Sequence, residues 1–174
     1  MKNIDKKLDE LVEHVTKPNP EMGGMPMCPF ARIGLDKGEV EFVKHGKNTL
    51  VVAEGYIKNY PPHKKLVLCV TDSKEFTSKQ LDEFCEKWQD FAIEQDLYLY
   101  PSHPDDSEGY IAGLTHGNPG LAMILIQTLS DLNQKATWLQ NKTNYYSYWD
   151  KGYYDRIVGE RLKYDKDLTK PNRI

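Results

Sequence analysis

Apolar residues at Ile4, Leu8, Leu11, Val12 and Val15 recur at the spacing of one helix face, which predicts an amphipathic helix over residues 4–16. Pro18 and Pro20 end it, and the Pro, Gly and Met content of Lys17 to Met27, including Gly23-Gly24, predicts an irregular loop that delivers Cys28. After the turn Asp36-Lys37-Gly38, Val40 and Phe42 alternate with Glu39 and Glu41, the period of a half-buried strand. Residues 48–58 fit either element, and the spacing Leu50, Ala53, Glu54, Ile57 favours a short helix. Beyond Pro61-Pro62, the uninterrupted run Leu66 to Val70 predicts a central strand covered on both faces.

The next helix carries its own start signal. Thr77 is placed to cap it, Gln80 to return the bond, and Phe76 to pack on Leu81, ahead of a stripe of Leu81, Phe84, Cys85, Trp88, Phe91 and Ala92. A strand follows at Leu97 to Tyr100, then a polar loop over 102–108. Asn118-Pro119 reads as a second helix start, with Leu121, Ile124, Leu125, Thr128, Leu129, Leu132, Ala136 and Leu139 carrying that helix to about Gln140. This alternation predicts an α/β fold, a small parallel or mixed sheet covered by helices. Six aromatic residues, Tyr145, Tyr146, Tyr148, Trp149, Tyr153 and Tyr154, mark an aromatic-rich C-terminal extension. The expected organisation is a single domain over 1–174: an N-terminal helix and loop (1–26), an α/β core (27–140) and the extension (141–174).

Composition narrows the classes. With 39% hydrophobic residues the chain can build a core despite a mean hydropathy of -0.67. The 23 Lys and Arg against 26 Asp and Glu supply no broad positive field, so nucleic acid is not the expected partner. No secretory h-region or membrane-length apolar run is present, and three cysteines without a Cys-x-x-Cys spacing suit a reducing, cytoplasmic setting.

Met27-Cys28-Pro29-Phe30-Ala31, ahead of the first strand, resembles an uncharacterised bacterial family marked by a Cys-Pro-Phe-Ala motif. That family's later His-Pro-Asp motif is similar to His103-Pro104-Asp105, and its Asn/Ser-Pro helix start to Asn118-Pro119. The resemblance spans roughly residues 27–140. Asp106, the Gly-rich stretch Gly109 to Gly117 and the tyrosine-rich extension depart from it. It implies the fold and points at residues without naming a reaction.

Cys28 combines a nucleophile with a soft metal ligand, whereas Cys69 and Cys85 lie on apolar faces that suit packing. His103 and Asp105 leave a strand at its carboxyl end, where open sheets place their sites, and His116 with Asn118 precedes the expected helix start, where free N–H groups hold anions. His103, Asp105 and His116 together suit a divalent metal such as iron or zinc, with His103, Asp105 and Cys28 as catalytic groups and His116 and Asn118 holding a small polar or anionic ligand. The glycines at 109, 113, 117 and 120 do not form a dinucleotide fingerprint. Three functions fit these residues: an enzyme working through a His/Asp metal site near a strand end, a thiol-dependent enzyme using Cys28, or a non-catalytic binding or interaction protein using the Tyr-rich surface. The same tyrosines suit a contact with the body of the domain or with a second copy in a homodimer.

Overall fold

In the computed structural model, which describes residues 2–106 and 117–165, the first apolar stripe forms helix α1 (Lys2–Thr16) and buries Leu8 and Leu11. A 3-10 turn (Pro20–Met22) follows, with Asn19 accepting from the Glu21 N–H at 3.0 Å. Gly23 closes it at φ 63, and a Cβ there would lie 2.5 Å from the Tyr148 hydroxyl, so the close approach of the C-terminal extension needs glycine at this position. A short helix that the pattern does not announce, α2 (Ala31–Asp36), then leads to strand β1 (Val40–Lys44).

The ambiguous segment is helical: α3 (Thr49–Lys58) buries Ala53 and Ile57 and leaves Val51 71% exposed. Strand β2 (Leu66–Asp72) is central as expected, and α4 (Ser78–Glu94) starts on the full Thr77/Gln80 capping box. Helix α4 lies chiefly against strand β3 (Leu97–Ser102) and buries Leu81, Cys85 and Ala92. Phe91, expected on the buried stripe, is 38% exposed and packs edge-on against Trp88.

The helix expected from Asn118-Pro119 to Gln140 is two elements. Leu121–Thr128 is strand β4, and only Leu129–Lys142 is helical, as α5. Burial explains the outcome. Leu121, Ala122, Met123, Ile124 and Ile126 are all at most 4% exposed, and a run apolar at consecutive positions is satisfied by a strand covered on both faces, not by a helix with one buried stripe. The turn before α5 is held by Asp96, whose carboxylate accepts from the Ser130 N–H at 2.9 Å.

The sheet has the order β1-β2-β4-β3, with β1 and β2 parallel and the other two pairings antiparallel, a mixed sheet. Alternation along each strand divides the core. Val67, Cys69, Leu97, Leu99, Ala122, Ile124 and Ile126 face α3 and α4. Leu68, Val70, Leu121 and Met123 face the other way, toward Leu8 and Leu11 of α1. After α5 the chain makes a 3-10 turn (Tyr145–Tyr148) and a helical stretch over 151–162 that contains a π-type turn at Asp155–Gly159. Tyr145 and Tyr153 pack there with Met22, Met27 and Leu139 in a third apolar cluster. No helix among the described residues is long and apolar enough to cross a membrane.

Candidate functional site

On the α1 side of the sheet the cover does not close onto the strands along its whole length. A cavity of about 370 Å³ lies between them. Its floor is the second set of alternating strand positions, among them Leu66, Leu68, Tyr98, Tyr100, Met123 and Leu125. One wall comes from α1 and the loop around Cys28, another from Leu132, Lys135, Ala136 and Leu139 of α5, and the aromatic extension supplies the rest.

The aromatic wall is internally braced. Tyr146 meets Tyr145 and Trp149 edge-on, each with ring centroids 5.2 Å apart, and Trp149 stacks on Tyr153 at 5.0 Å. The Tyr145 hydroxyl donates to the Met27 carbonyl, tying the extension to the residue before Cys28. Burial pushes the Tyr146 phenol up to about 12 and the Tyr145 and Tyr153 phenols higher still, so these hydroxyls stay neutral at ordinary pH. The tyrosines expected to form a contact surface therefore contact the body of their own chain.

Charged groups sit at separate points on the wall. Asp131 accepts from Lys135 at 2.6 Å and lies 3.9 Å from Lys65. Arg161 is 5% exposed, and its Nε donates to Asn133 Oδ1 at 2.8 Å while Nη1 reaches the Ile157 carbonyl at 3.4 Å. No carboxylate pairs with Arg161 among the described residues. Burial pulls the Arg161 guanidinium below its ordinary value.

Cys28 is accessible to solvent yet surrounded by protein, a combination that arises when a side chain faces a cavity. Its N–H donates to the Val15 carbonyl at 2.9 Å and its carbonyl accepts from Ala31 at 3.1 Å, which fixes the loop against α1 and α2. Burial raises the Cys28 thiol pKa, opposed by the Phe30 and Ala31 N–H groups and by Lys135. Cys69 and Cys85 are buried, as their apolar surroundings implied.

His103 and Asp105 are neighbours, but neither lines the cavity. His103 is 5% exposed, with Nε2 3.1 Å from the Ser73 carbonyl and Nδ1 accepting the Asp105 N–H at 3.2 Å. That pattern puts the ring proton on Nε2 and occupies both nitrogens with backbone. Asp106 accepts from the His103 N–H at 2.7 Å and from the Ser78 hydroxyl, so the segment joins the end of β3 to the start of α4. Asn118 lines the cavity, but its amide is spent on a tight turn, with Oδ1 accepting from Gly120 and Leu121 and Nδ2 donating to the Leu121 carbonyl and the Ser102 hydroxyl. The expected helix start behind Asn118 is the entry to β4, so the helix N-terminus meant to hold an anion there does not exist. His116 lies outside the described residues. Among the described residues no group of three or more His, Cys, Asp and Glu side chains is placed to hold a metal ion.

Cys28 and Asn118 thus share one cavity, while His103 and Asp105 belong to a loop junction. The cavity itself and Arg161 were not anticipated. A signal for Arg161 was present: it falls three and four residues after Val158 and Ile157, on the apolar stripe of a helical segment. In comparisons with known proteins the chain matches no family model, no curated protein and no solved structure.

Proposed function

We propose that this is a non-catalytic binding protein that takes a largely apolar small molecule into the cavity between the sheet and its aromatic cover. The observation that carries this reading is a cavity of about 370 Å³ with a wall made mainly of aliphatic and aromatic side chains. Small-molecule sites have this character, apolar with a few placed polar groups, and fall at roughly 300 to 1,000 Å³. Ordinary interiors leave few voids larger than a water molecule.

The chemistry of Cys28 favours binding over thiol catalysis. A nucleophilic cysteine is normally activated by a depressed pKa, and burial acts in the opposite direction here. Kinship with the Cys-Pro-Phe-Ala family is likewise a proposal; it rests on the segment Cys28-Pro29-Phe30-Ala31 and assigns no ligand by itself.

The test is calorimetric titration with 1-decanol, a neutral apolar probe, into the full chain. Saturable binding of one molecule per chain is expected. Leu125→Trp, which puts an indole into the floor position of a half-buried leucine that faces the cavity, is expected to reduce that binding at least about tenfold while the protein stays folded. No saturable binding by the wild-type chain, or undiminished binding by Leu125→Trp, would reject the reading.

A further inference from the structure

Arg161 is a costly residue to place where it stands. A guanidinium carries five N–H donors and cannot shed its charge, so burial is normally met by a carboxylate. Here one donor goes to the neutral amide of Asn133 and another reaches a backbone carbonyl at the limit of hydrogen-bond length. Other cations on the cavity wall are answered within the chain, Lys135 and Lys65 by Asp131. Arg161 alone among these three is both buried and without an anion among the described residues.

Its surroundings also set what could meet it. The phenols of Tyr146 and Tyr98 that act on Arg161 are pushed up by burial and stay neutral, and much of the wall is aromatic or aliphatic, with Lys65, Lys135 and Asp131 at separate points. A planar fork of donors on a buried side chain matches a carboxylate, which accepts two parallel bonds, and the aromatic and aliphatic parts of the wall match an uncharged body.

We infer that the cavity binds an apolar monocarboxylate, an acyl or aryl acid, with its carboxylate on the free N–H donors of Arg161 and its body against the aromatic wall. This rests on the binding function proposed above and adds the head group and its anchor. The buried guanidinium gains its counter-charge from the ligand, and a neutral analogue of the same shape gains only the apolar contacts.

The test compares matched pairs by calorimetry on the full chain: decanoate against 1-decanol, and 2-naphthoate against 2-naphthalenemethanol, at neutral pH. At least one acid is expected to bind about tenfold or more tighter than its alcohol, and the pair with the larger ratio identifies the body as acyl or aryl. Arg161→Met should bring the ratio close to one while alcohol binding persists, and Lys135→Gln should leave the ratio unchanged. Alcohols that bind as tightly as their acids would overturn the role of Arg161 while leaving the cavity's binding function intact. Absence of binding by all four probes would overturn the binding function itself. An acid preference that survives Arg161→Met, or that disappears in Lys135→Gln, would assign the anchor elsewhere. Should Arg161→Met fail to fold, the wild-type acid-to-alcohol ratios together with the Lys135→Gln ratio still decide the matter.

Discussion

A thiol on the wall of an apolar cavity reports on that cavity. Burial raises the Cys28 pKa, and the nearby N–H groups and Lys135 offset only part of the effect. Alkylation by iodoacetamide should therefore be slower at pH 8 than that of a free cysteine and should quicken as the pH rises. Cys69, pushed up to about 12, and Cys85, both buried, should react only on unfolding. Saturating decanol should slow the Cys28 reaction further, because reagent and ligand compete for the same space. Mass spectrometry of the native chain checks this, and equal labelling with and without decanol would separate Cys28 from the binding space. Sequence reasoning found Cys28 as an accessible loop thiol because prolines and glycines around it break regular structure. It also singled out His103 and Asp105, because an imidazole next to a carboxylate at a strand end is a pattern that side-chain identity alone makes visible. Their partners, the Ser73 carbonyl and the Asp105 N–H, are backbone groups that no side-chain pattern advertises.

Elements whose signal is local were readable, as α4 shows: both capping partners, Thr77 and Gln80, sit within one turn and form the reciprocal pair in the structure. Strand β4 was misread because Asn118-Pro119 imitates a helix start and the run from Leu121 to Ile126 has no period to separate a buried strand from a buried helix. What decides it is pairing with β2 on one side and β3 on the other, partners more than twenty residues away along the chain. A similar long-range contact holds α1. Lys7 reaches Asp72 at 2.8 Å and the Gly120 carbonyl at 2.9 Å, pinning α1 to the ends of β2 and β4. The hydrogen bond from Lys7, with that from the Lys74 N–H, holds the Asp72 carboxyl below its ordinary 3.8. A carboxyl depressed in the folded state stabilises it fully above the unfolded value, and that contribution fades as the pH falls through the folded value. With side-chain exposures of 17% and 28%, the pair is worth up to about 1 kcal/mol. Asp72→Asn should thus be less stable than wild type by up to about that amount at pH 7, with the gap closing as the pH is taken below 3.8. Urea unfolding at both ends of that range measures it, and a gap that widens in acid would show that Asp72 acts by some other route.

At the scale of the molecule, the cavity is a joint between parts far apart in sequence: the floor comes from the sheet, one wall from the Cys28 loop, and another from a C-terminal extension held by the Tyr145 hydroxyl on the Met27 carbonyl. The alternation of each strand was legible, but the second face of the sheet and the extension could be joined only by knowing what each packs against, which is why the tyrosines read as a generic surface and not as a wall. A ligand held between such parts binds only when all of them are assembled, so its binding energy adds to the stability of the fold. At a concentration about 100 times its dissociation constant a ligand of the native state contributes about 2.7 kcal/mol. For a chain of this length, each kcal/mol moves Tm by roughly 2 to 4 °C, so decanol at that concentration should raise Tm by about 5 to 11 °C. Tyr145→Phe keeps the ring but leaves the Met27 carbonyl without its donor, a loss of about 1 to 3 kcal/mol that should lower Tm without ligand by several degrees. Because the ring still fills its place in the wall, that variant should keep most of the ligand-induced rise, whereas Leu125→Trp should lose it with little change in Tm without ligand. Scanning calorimetry of the three proteins with and without decanol separates the outcomes, and a rise that survives in Leu125→Trp would place the ligand outside the cavity.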